Sequence, residues 1–314
     1  MNWFEAMILG LVEGLTEYLP VSSTGHLILA QRAMGIPQSE AADAYAICIQ
    51  AGAIVAVLGL YWRRVVQMLR GIIGRDLEGR RLLVNLVAAF VPAMVFGLQL
   101  NATIKKYLFG LWPIVAAWAL GGAAILWVTR RRLNSSPSTG GQGGVRGGSG
   151  ERNADAILRG QGESMDDDGS TLPQPLPERE GSKTLAQLTW QLALIIGLLQ
   201  CIAMWPGVSR SLITIVGGLL VGLRLAAAVE FSFLLGVMTL GAATCYDGLK
   251  HGQVMINTYG IDMMLIGFLF AFISAALAVK WMVAYLQKHS LAIFGWYRVG
   301  LAAIVAVLIV MGKL

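Results

Sequence analysis

Charged residues are scarce in this chain of 314 residues. They account for 13% of the sequence, while hydrophobic residues account for 56%. A soluble domain normally carries about 25% charged residues, so an ordinary soluble domain is excluded. Uncharged stretches of about 20 apolar residues instead predict helices that cross a bilayer. A membrane β-barrel is disfavoured because these stretches are long and do not alternate with polar residues.

Cysteine is also rare, and the first residues of the chain lack positive charge. Cys48, Cys201 and Cys245 all lie in apolar segments, which indicates buried thiols rather than disulfides. Residues 1–10 contain no basic side chain and precede no small-residue cleavage site, so we expect no cleavable signal peptide. The net charge of +6 comes from arginines at the ends of apolar segments, a pattern typical of cytoplasmic loops rather than of a nucleic-acid partner.

Six segments have the length and apolarity of membrane spans. They run roughly over residues 44–62, 82–100, 108–128, 229–246, 263–281 and 293–312. Two further apolar regions, 3–33 and 185–223, are each interrupted by proline, glycine and polar residues, which end helices. The first interruption is residues 19–26 and the second is residues 205–211. Because each half is short for a full crossing, we predict two re-entrant helical hairpins.

The two hairpins begin two related halves of the chain. Shifting the sequence by 187 residues places Ser22 on Ser209, although overall identity between the halves is low. We predict an all-α integral membrane protein with two inverted-topology repeats, residues 1–133 and 184–314, each a hairpin followed by three spans. Inverted repeats with discontinuous helices place a binding site near the midplane, at the repeat interface.

The distribution of arginine predicts the orientation in the membrane. The positive-inside rule makes the loop 63–81 and residues 129–184 cytoplasmic, and it makes both termini external. Within the second stretch, residues 134–183 are rich in glycine, serine and charge, so we predict a flexible cytoplasmic insertion. The run Asp166–Asp168 could be taken for a metal cluster, but a solvated charge run is the better interpretation.

Ionisable groups inside apolar segments are costly and usually mark function. Glu13 and Glu17 are four residues apart and therefore share one face of a helix. Two such carboxylates can share a proton or hold a divalent cation. The alternative is a structural ion pair between one of them and Arg210.

The first interruption also contains hydroxyl groups and a histidine. Ser22, Ser23 and His26 follow Pro20, where a new helix can begin and offer free N–H groups to a phosphate. A hydroxyl beside a histidine or glutamate is also a candidate nucleophile. The alternative is an ordinary serine at a helix N-cap.

The second interruption supplies a positively charged side chain. Arg210 is the only basic residue between Lys183 and Arg224. The hydroxyl residues around it are Ser209, Ser211 and Thr214. A guanidinium with hydroxyls at a helix start has the composition of a phosphate clamp. A buried ion pair to Glu13 or Glu17 is the alternative.

Two motifs resemble those of a known family, the undecaprenyl-pyrophosphate phosphatases, also called the bacitracin-resistance family. Residues 13–26, EGLTEYLPVSSTGH, resemble its first signature, and residues 206–211 with Thr214 resemble its second. Shorter similarities lie at Gln50 and Gly52, at residues 230–235, and at Tyr297 and Arg298. Leu212 and Ile213 stand where members of the family often have glycine and alanine.

The resemblance implies an inner-membrane enzyme that converts undecaprenyl pyrophosphate to the monophosphate, recycling the lipid carrier for peptidoglycan synthesis. It also implies a divalent cation, Mg²⁺ or Ca²⁺, and a site that faces the periplasm. Carried over by motif, Glu13 and Glu17 are the acidic pair and the metal ligands. Ser22, Ser23 and His26 are catalytic candidates, and Ser209, Arg210, Ser211 and Thr214 are substrate contacts.

The sequence leaves several alternatives open. Ser23 is a candidate nucleophile with Glu17 or His26 as its base, and a water molecule activated by His26 is an equally simple one. A transporter or flippase for a phosphorylated lipid or an anionic solute is the competing function, since inverted repeats are also a transporter architecture. A structural scaffold is a less favoured interpretation, because buried charges are costly and a scaffold has no use for them. The oligomeric state, including a homodimer, is left open.

Overall fold

The structure is a computed structural model that describes residues 1–37, 39–108, 110–134 and 183–314. Apart from one isolated bridge between Lys183 and Leu223, the regular structure of these residues is helical. The predicted insertion 134–183, with its Asp166–Asp168 run, lies outside the described residues except for its two end positions.

Ten α-helices follow one another along the described chain. They are α1 (Trp3–Glu17), α2 (Ser23–Ala33), α3 (Glu40–Leu60), α4 (Trp62–Ile72), α5 (Leu77–Leu108), α6 (Leu111–Asn134), α7 (Trp190–Gln200), α8 (Arg210–Leu220), α9 (Leu225–Lys288) and α10 (Ala292–Val310). Short 3₁₀ turns at Leu185–Gln187 and Cys201–Met204 precede and follow α7. Five of the helices in the described ranges, namely α3, α5, α6, α9 and α10, are long and apolar enough to cross a membrane.

Helix α9 is two helices joined at a sharp break. Its 64 residues would extend about 96 Å if straight, three times the thickness of a hydrocarbon core. Gly260 interrupts it with φ 79° and ψ 158°, a backbone conformation that L side chains rarely adopt. Thr244 donates to the carbonyl of Ile47, and Tyr45 donates to that of Met263. Both halves of α9 therefore pack along α3, and the chain reverses between them.

The helix pairs α1–α2 and α7–α8 have matching boundaries. Adding 187 to the first and last residues of α2 gives the first and last residues of α8. The same addition carries Trp3, the start of α1, onto Trp190, and it carries Glu17 onto Met204, where the 3₁₀ turn after α7 ends. The two interrupted regions of the sequence therefore fold alike.

The arginine-rich stretch 63–81 is mostly helical, so its prediction as a loop is wrong. It contains α4 and the first residues of α5, with a turn at Gly74 between them. Arginine itself favours helix, and the apolar residues of α4 recur at helical spacing. Interpreting the stretch by charge alone overlooked that spacing.

Glycines allow the helices to approach closely at several crossings. A Cβ atom at Gly14 would overlap the carbonyl of Ala271 in α9. A Cβ atom at Gly197 would likewise overlap the carbonyl of Ala89, where α7 crosses α5. Small residues at such crossings let backbones pack directly, which drives helix association in membranes where the hydrophobic effect does not. These contacts fix α1 and α7, the helices that lead into the two interruptions.

We expect Gly197→Ala to destabilise the protein by about 1–3 kcal/mol, because the added methyl has no room against α5. The measurement is thermal unfolding of the purified protein in detergent. Gly241→Ala is the matched control, since Gly241 also lies within a helix but has no atom within 4 Å of its Cβ position. Equal stability of the two variants would contradict the close packing of α7 on α5.

Candidate active site

The end of α1 and the starts of α2 and α8 meet at one cluster of polar side chains. Glu17 is the last residue of α1, Ser23 the first of α2 and Arg210 the first of α8. Arg210 Nη2 forms an ion pair with Glu17 Oε1 at 3.1 Å. The Ser23 hydroxyl donates to Oε2 of the same carboxylate, and the amide of Gln50 donates to that oxygen at 3.5 Å. One carboxylate therefore links both interruptions.

Two serines before these helix starts share a rare backbone conformation. Ser22 has φ 77° and Ser209 has φ 74°, and within the described ranges they are the only residues other than glycine with positive φ. Such conformations cost of order 1–3 kcal/mol and cluster at functional sites. Ser209 also accepts a hydrogen bond from the N–H of Leu212, as an N-cap does, whereas the Ser22 side chain forms no cap. The N-cap interpretation therefore applies to Ser209 but not to Ser22.

A cavity of about 210 Å³ opens onto this cluster. Five of the predicted site residues line it: Glu17, Ser22, Ser23, Ser209 and Arg210. Gln50, Gln200 and Thr24 add further polar groups to its wall. The cavity therefore offers one guanidinium, one carboxylate, several hydroxyls and two amides to a polar ligand.

Glu13 lies one turn behind Glu17 and is 1% exposed. It contacts Glu17 and Gln50, but neither of its carboxylate oxygens has a well-formed hydrogen bond. Paired carboxylates with unsatisfied oxygens suit a divalent cation, which takes oxygen ligands. Within the part of the chain that the structure describes, no third acidic, histidine or cysteine side chain joins the pair. The side chains present fit a site of two carboxylates, with further oxygens from amides, substrate or water.

Ser211 and Thr214 hold the interruptions together and do not line the cavity. The Ser211 hydroxyl donates to the carbonyl of Leu19 at 2.9 Å, which joins α8 to the first interruption. Thr214 Oγ1 hydrogen bonds with the Ser232 hydroxyl at 2.6 Å. Arg210 Nη1 donates to the carbonyl of the same Ser232 at 3.3 Å. These contacts orient the start of α8, and with it the guanidinium of Arg210.

His26 also lies off the cavity wall. Its Nδ1 is 2.6 Å from the carbonyl of Ser22, and its Nε2 is 2.8 Å from the hydroxyl of Tyr297. The ring stacks on Tyr297 and tilts against Trp118. Both ring nitrogens are therefore engaged by the protein on the side of α2 that faces α10.

The sequence analysis assigns no role to two buried residues that the structure places at or beside the site. Gln200, at the end of α7, is 3% exposed, and its Oε1 has no hydrogen-bond partner although the residue lines the cavity. Arg298 is fully buried in α10. Arg298 is the only charged residue of the predicted span 293–312, and an isolated intramembrane charge is the signal that would have found it.

Arg298 ties the two interruptions to each other. Its Nη1 donates to the carbonyl of Pro20 at 3.3 Å, and its Nη2 donates to that of Gly207 at 2.8 Å. Pro20 and Gly207 are related by the shift of 187. A third bond runs from Nη2 to the carbonyl of Ala117 in α6, at 2.9 Å. One guanidinium thus satisfies carbonyl groups that the broken helices leave free.

The fold and the site define a helical, multi-pass membrane protein whose polar cavity lies between the helix pairs α1–α2 and α7–α8. The chain belongs to the family described as bacitracin resistance protein BacA, whose model matches residues 6–304.

Curated relatives match over nearly the whole chain. An undecaprenyl-diphosphatase of Sorangium cellulosum is 40% identical over 97% of this chain and 86% of its own length. One of Methylococcus capsulatus is 38% identical over 97% of this chain and 94% of its own. Undecaprenyl-diphosphatase 2 of Rhodospirillum rubrum is 37% identical over 96% and 93%. The chain is thus similar to these diphosphatases along nearly its full extent.

We expect Arg298→Lys to destabilise the protein by roughly 2–5 kcal/mol, because an ammonium group cannot reach all three carbonyls and leaves buried acceptors unpaired. Thermal unfolding in detergent measures the loss. Arg32→Lys serves as the control, since Arg32 is exposed at the end of α2. Unchanged stability of Arg298→Lys would rule out the bridging role.

Proposed function

We propose that this protein hydrolyses undecaprenyl pyrophosphate to undecaprenyl phosphate and inorganic phosphate. The observation that carries the proposal is the full-length similarity to undecaprenyl-diphosphatases, in a chain whose family signatures converge on one cavity. The reaction recycles the lipid carrier for peptidoglycan synthesis, and we propose that it also confers the bacitracin resistance for which the family is named.

Binding of the pyrophosphate rests on Arg210 and on the starts of two helices. The guanidinium of Arg210 offers N–H donors that match phosphate oxygens. The free backbone N–H groups at the starts of α2 and α8 lie beside the same cavity and carry the positive ends of the helix dipoles. Ser209 is the hydroxyl contact of this set. Ser211 and Thr214 act indirectly, by orienting α8.

Catalysis begins with Ser23, whose hydroxyl donates to Glu17. Ser23 Oγ forms a bond to the terminal phosphorus as the bridging P–O bond breaks, and Glu17 takes the hydroxyl proton. Undecaprenyl phosphate leaves. Water then attacks the phosphoserine, phosphate departs and the proton returns to Ser23. Because both ring nitrogens of His26 are engaged away from the cavity, the geometry favours Ser23 over a water molecule activated by His26.

Glu13 and Glu17 are the residues that would hold a divalent cation, Mg²⁺ or Ca²⁺. Such a cation supplies positive charge that neutralises the phosphoryl oxygens. The unsatisfied oxygens of the Glu13 carboxylate support this assignment. Glu13 does not line the cavity. Its proposed role is therefore to coordinate the cation beside the carboxylate of Glu17, and not to contact the lipid.

The topology that fits this function is an inverted repeat in the bacterial inner membrane. Six spans, including both halves of α9, surround α1–α2 and α7–α8, which are re-entrant hairpins. The 15 residues of α1 extend about 22 Å, too short for the hydrocarbon core. The arginines between α3 and α5 support a cytoplasmic location for that end, and the cavity opens to the periplasm.

The direct test is release of phosphate from undecaprenyl pyrophosphate by the purified protein. We expect Arg210→Ala and Glu17→Gln each to lower kcat/KM at least about 100-fold, since each removes a charge that acts on the transferred group. Chelation of divalent cations should abolish release. Arg32→Gln is the matched control. Absence of release from folded wild-type protein would refute the proposal, and uptake of phosphorylated lipid by proteoliposomes would then favour a transporter.

A phosphorylated Ser23 should accumulate when turnover is stopped by acid within the first cycle. We expect mass spectrometry to find the phosphate on Ser23 and not on Ser22, because only the Ser23 hydroxyl donates to the carboxylate of Glu17. Ser23→Ala should lose activity, with Ser22→Ala the neighbouring comparison. Retention of wild-type activity by Ser23→Ala would exclude the phosphoserine route.

A further inference from the structure

Helix α4 is a part of the molecule that the reaction does not use. It has 11 residues and connects the end of α3 to the start of α5, both of which are apolar enough to span the membrane. A helix of this length is too short to cross the bilayer itself. Since α3 ends where α4 begins and α5 starts after it, α4 lies at a membrane surface.

One side of α4 is fixed to the rest of the protein. A Cβ atom at Gly71 would overlap the backbone of Arg80, so α4 and α5 are in direct contact. Met68 packs against the main hydrophobic core. Arg64 forms an ion pair of 2.5 Å with Glu230 of α9. The helix is therefore held in a defined orientation, which leaves its other sides to the surroundings.

A second side of α4 is apolar and open. Trp62, Leu69 and Ile72 lie on it, and each is more than half exposed. Ile73 and Leu77, which follow the helix, are exposed to the same degree. Exposed apolar residues grouped in this way are typical of a helix that lies in the membrane interface with one face among the acyl chains.

A third side carries positive charge. Arg63 and Arg70 are seven residues apart, so they share one side of the helix, next to the apolar one. Three more arginines are exposed nearby. Arg75 lies in the turn before α5, and Arg80 and Arg81 lie near the start of α5. The acidic residues nearby are Asp76, which caps the N–H of Gly79, the exposed Glu78, and Glu230, which pairs with Arg64. Positive charge therefore exceeds negative charge on this surface.

We propose that α4 and the arginines Arg63, Arg70, Arg75, Arg80 and Arg81 form a binding surface for anionic phospholipids. The apolar side inserts among acyl chains, while the guanidinium groups bind lipid phosphates at the height of the headgroups. In the proposed topology this is the cytoplasmic leaflet. Charge complementarity selects the occupant, because a zwitterionic lipid offers the same acyl chains but no net charge. The surface is independent of the phosphatase cavity.

The test is binding of short-chain phosphatidylglycerol to the purified protein in a neutral detergent, followed by native mass spectrometry. Phosphatidylcholine of the same chain length is the reference lipid. We expect the double variant Arg63→Gln/Arg70→Gln to bind phosphatidylglycerol about 25-fold more weakly, about fivefold for each arginine removed. Its binding of phosphatidylcholine should not change. High salt should weaken binding by wild-type protein towards the level of the variant.

Two further variants make the result decisive. Arg32→Gln/Lys313→Gln removes two exposed charges elsewhere in the chain and should bind phosphatidylglycerol like wild type. Arg210→Ala tests whether the lipid enters the catalytic cavity instead. The proposal fails if the α4 variant, folded as judged by thermal unfolding, keeps wild-type affinity, if the control pair loses as much, or if Arg210→Ala alone abolishes binding. Because the readout is lipid binding, it does not depend on the phosphatase activity.

Discussion

A helix that is broken inside a membrane must satisfy the backbone groups it frees, because the hydrocarbon core offers no water to do so. This constraint governs the two interruptions of the fold. Arg298 donates to the carbonyls of Pro20 and Gly207, and Ser211 donates to that of Leu19. Each interruption is therefore stabilised by a side chain from another helix.

The same arrangement offsets part of the cost of burying charged side chains. Arg210 is balanced by Glu17, and the pair is 11% and 6% exposed at its side chains. The ring of Tyr18 lies 5.8 Å from the guanidinium carbon of Arg210 and covers it. A buried ion pair is weak evidence for stability, since desolvation can exceed the attraction. The pair lies on the cavity wall, beside the starts of α2 and α8, and this position suits the proposed role in binding phosphate.

The molecule separates its buried charges from its surface charges. Buried charges and amides converge on the cavity, where an anionic head group is proposed to bind. Exposed arginines gather between α3 and α5, on a helix whose apolar side is open. The two sets suit two different proposed ligands, the head group of the substrate in the cavity and the phosphates of membrane lipids at the surface.

Five of the residues that line the cavity are predicted by the sequence. Glu17, Ser23 and Arg210 were singled out as rare ionisable or hydroxyl groups within apolar segments, and the structure brings these three into contact. His26 belongs to the same motif but turns towards Tyr297. A motif fixes which residues are neighbours in the chain, but a ring of α2 can face either the cavity or α10. Only packing decides between these directions.

The sequence by itself determined that the protein is helical and lies in the membrane. Stretches of about 20 apolar residues are long enough to cross the bilayer, and a chain that crosses lipid must satisfy its backbone hydrogen bonds internally, as a helix does. It also determined that the regions 3–33 and 185–223 break in the middle, since their proline and glycine residues act locally. Tertiary structure alone decided which polar groups meet. Glu17 and Arg210 are 193 residues apart in the chain, and no local pattern encodes their contact. Arg298 reaches the carbonyls of both interruptions only because of how α10 packs against them.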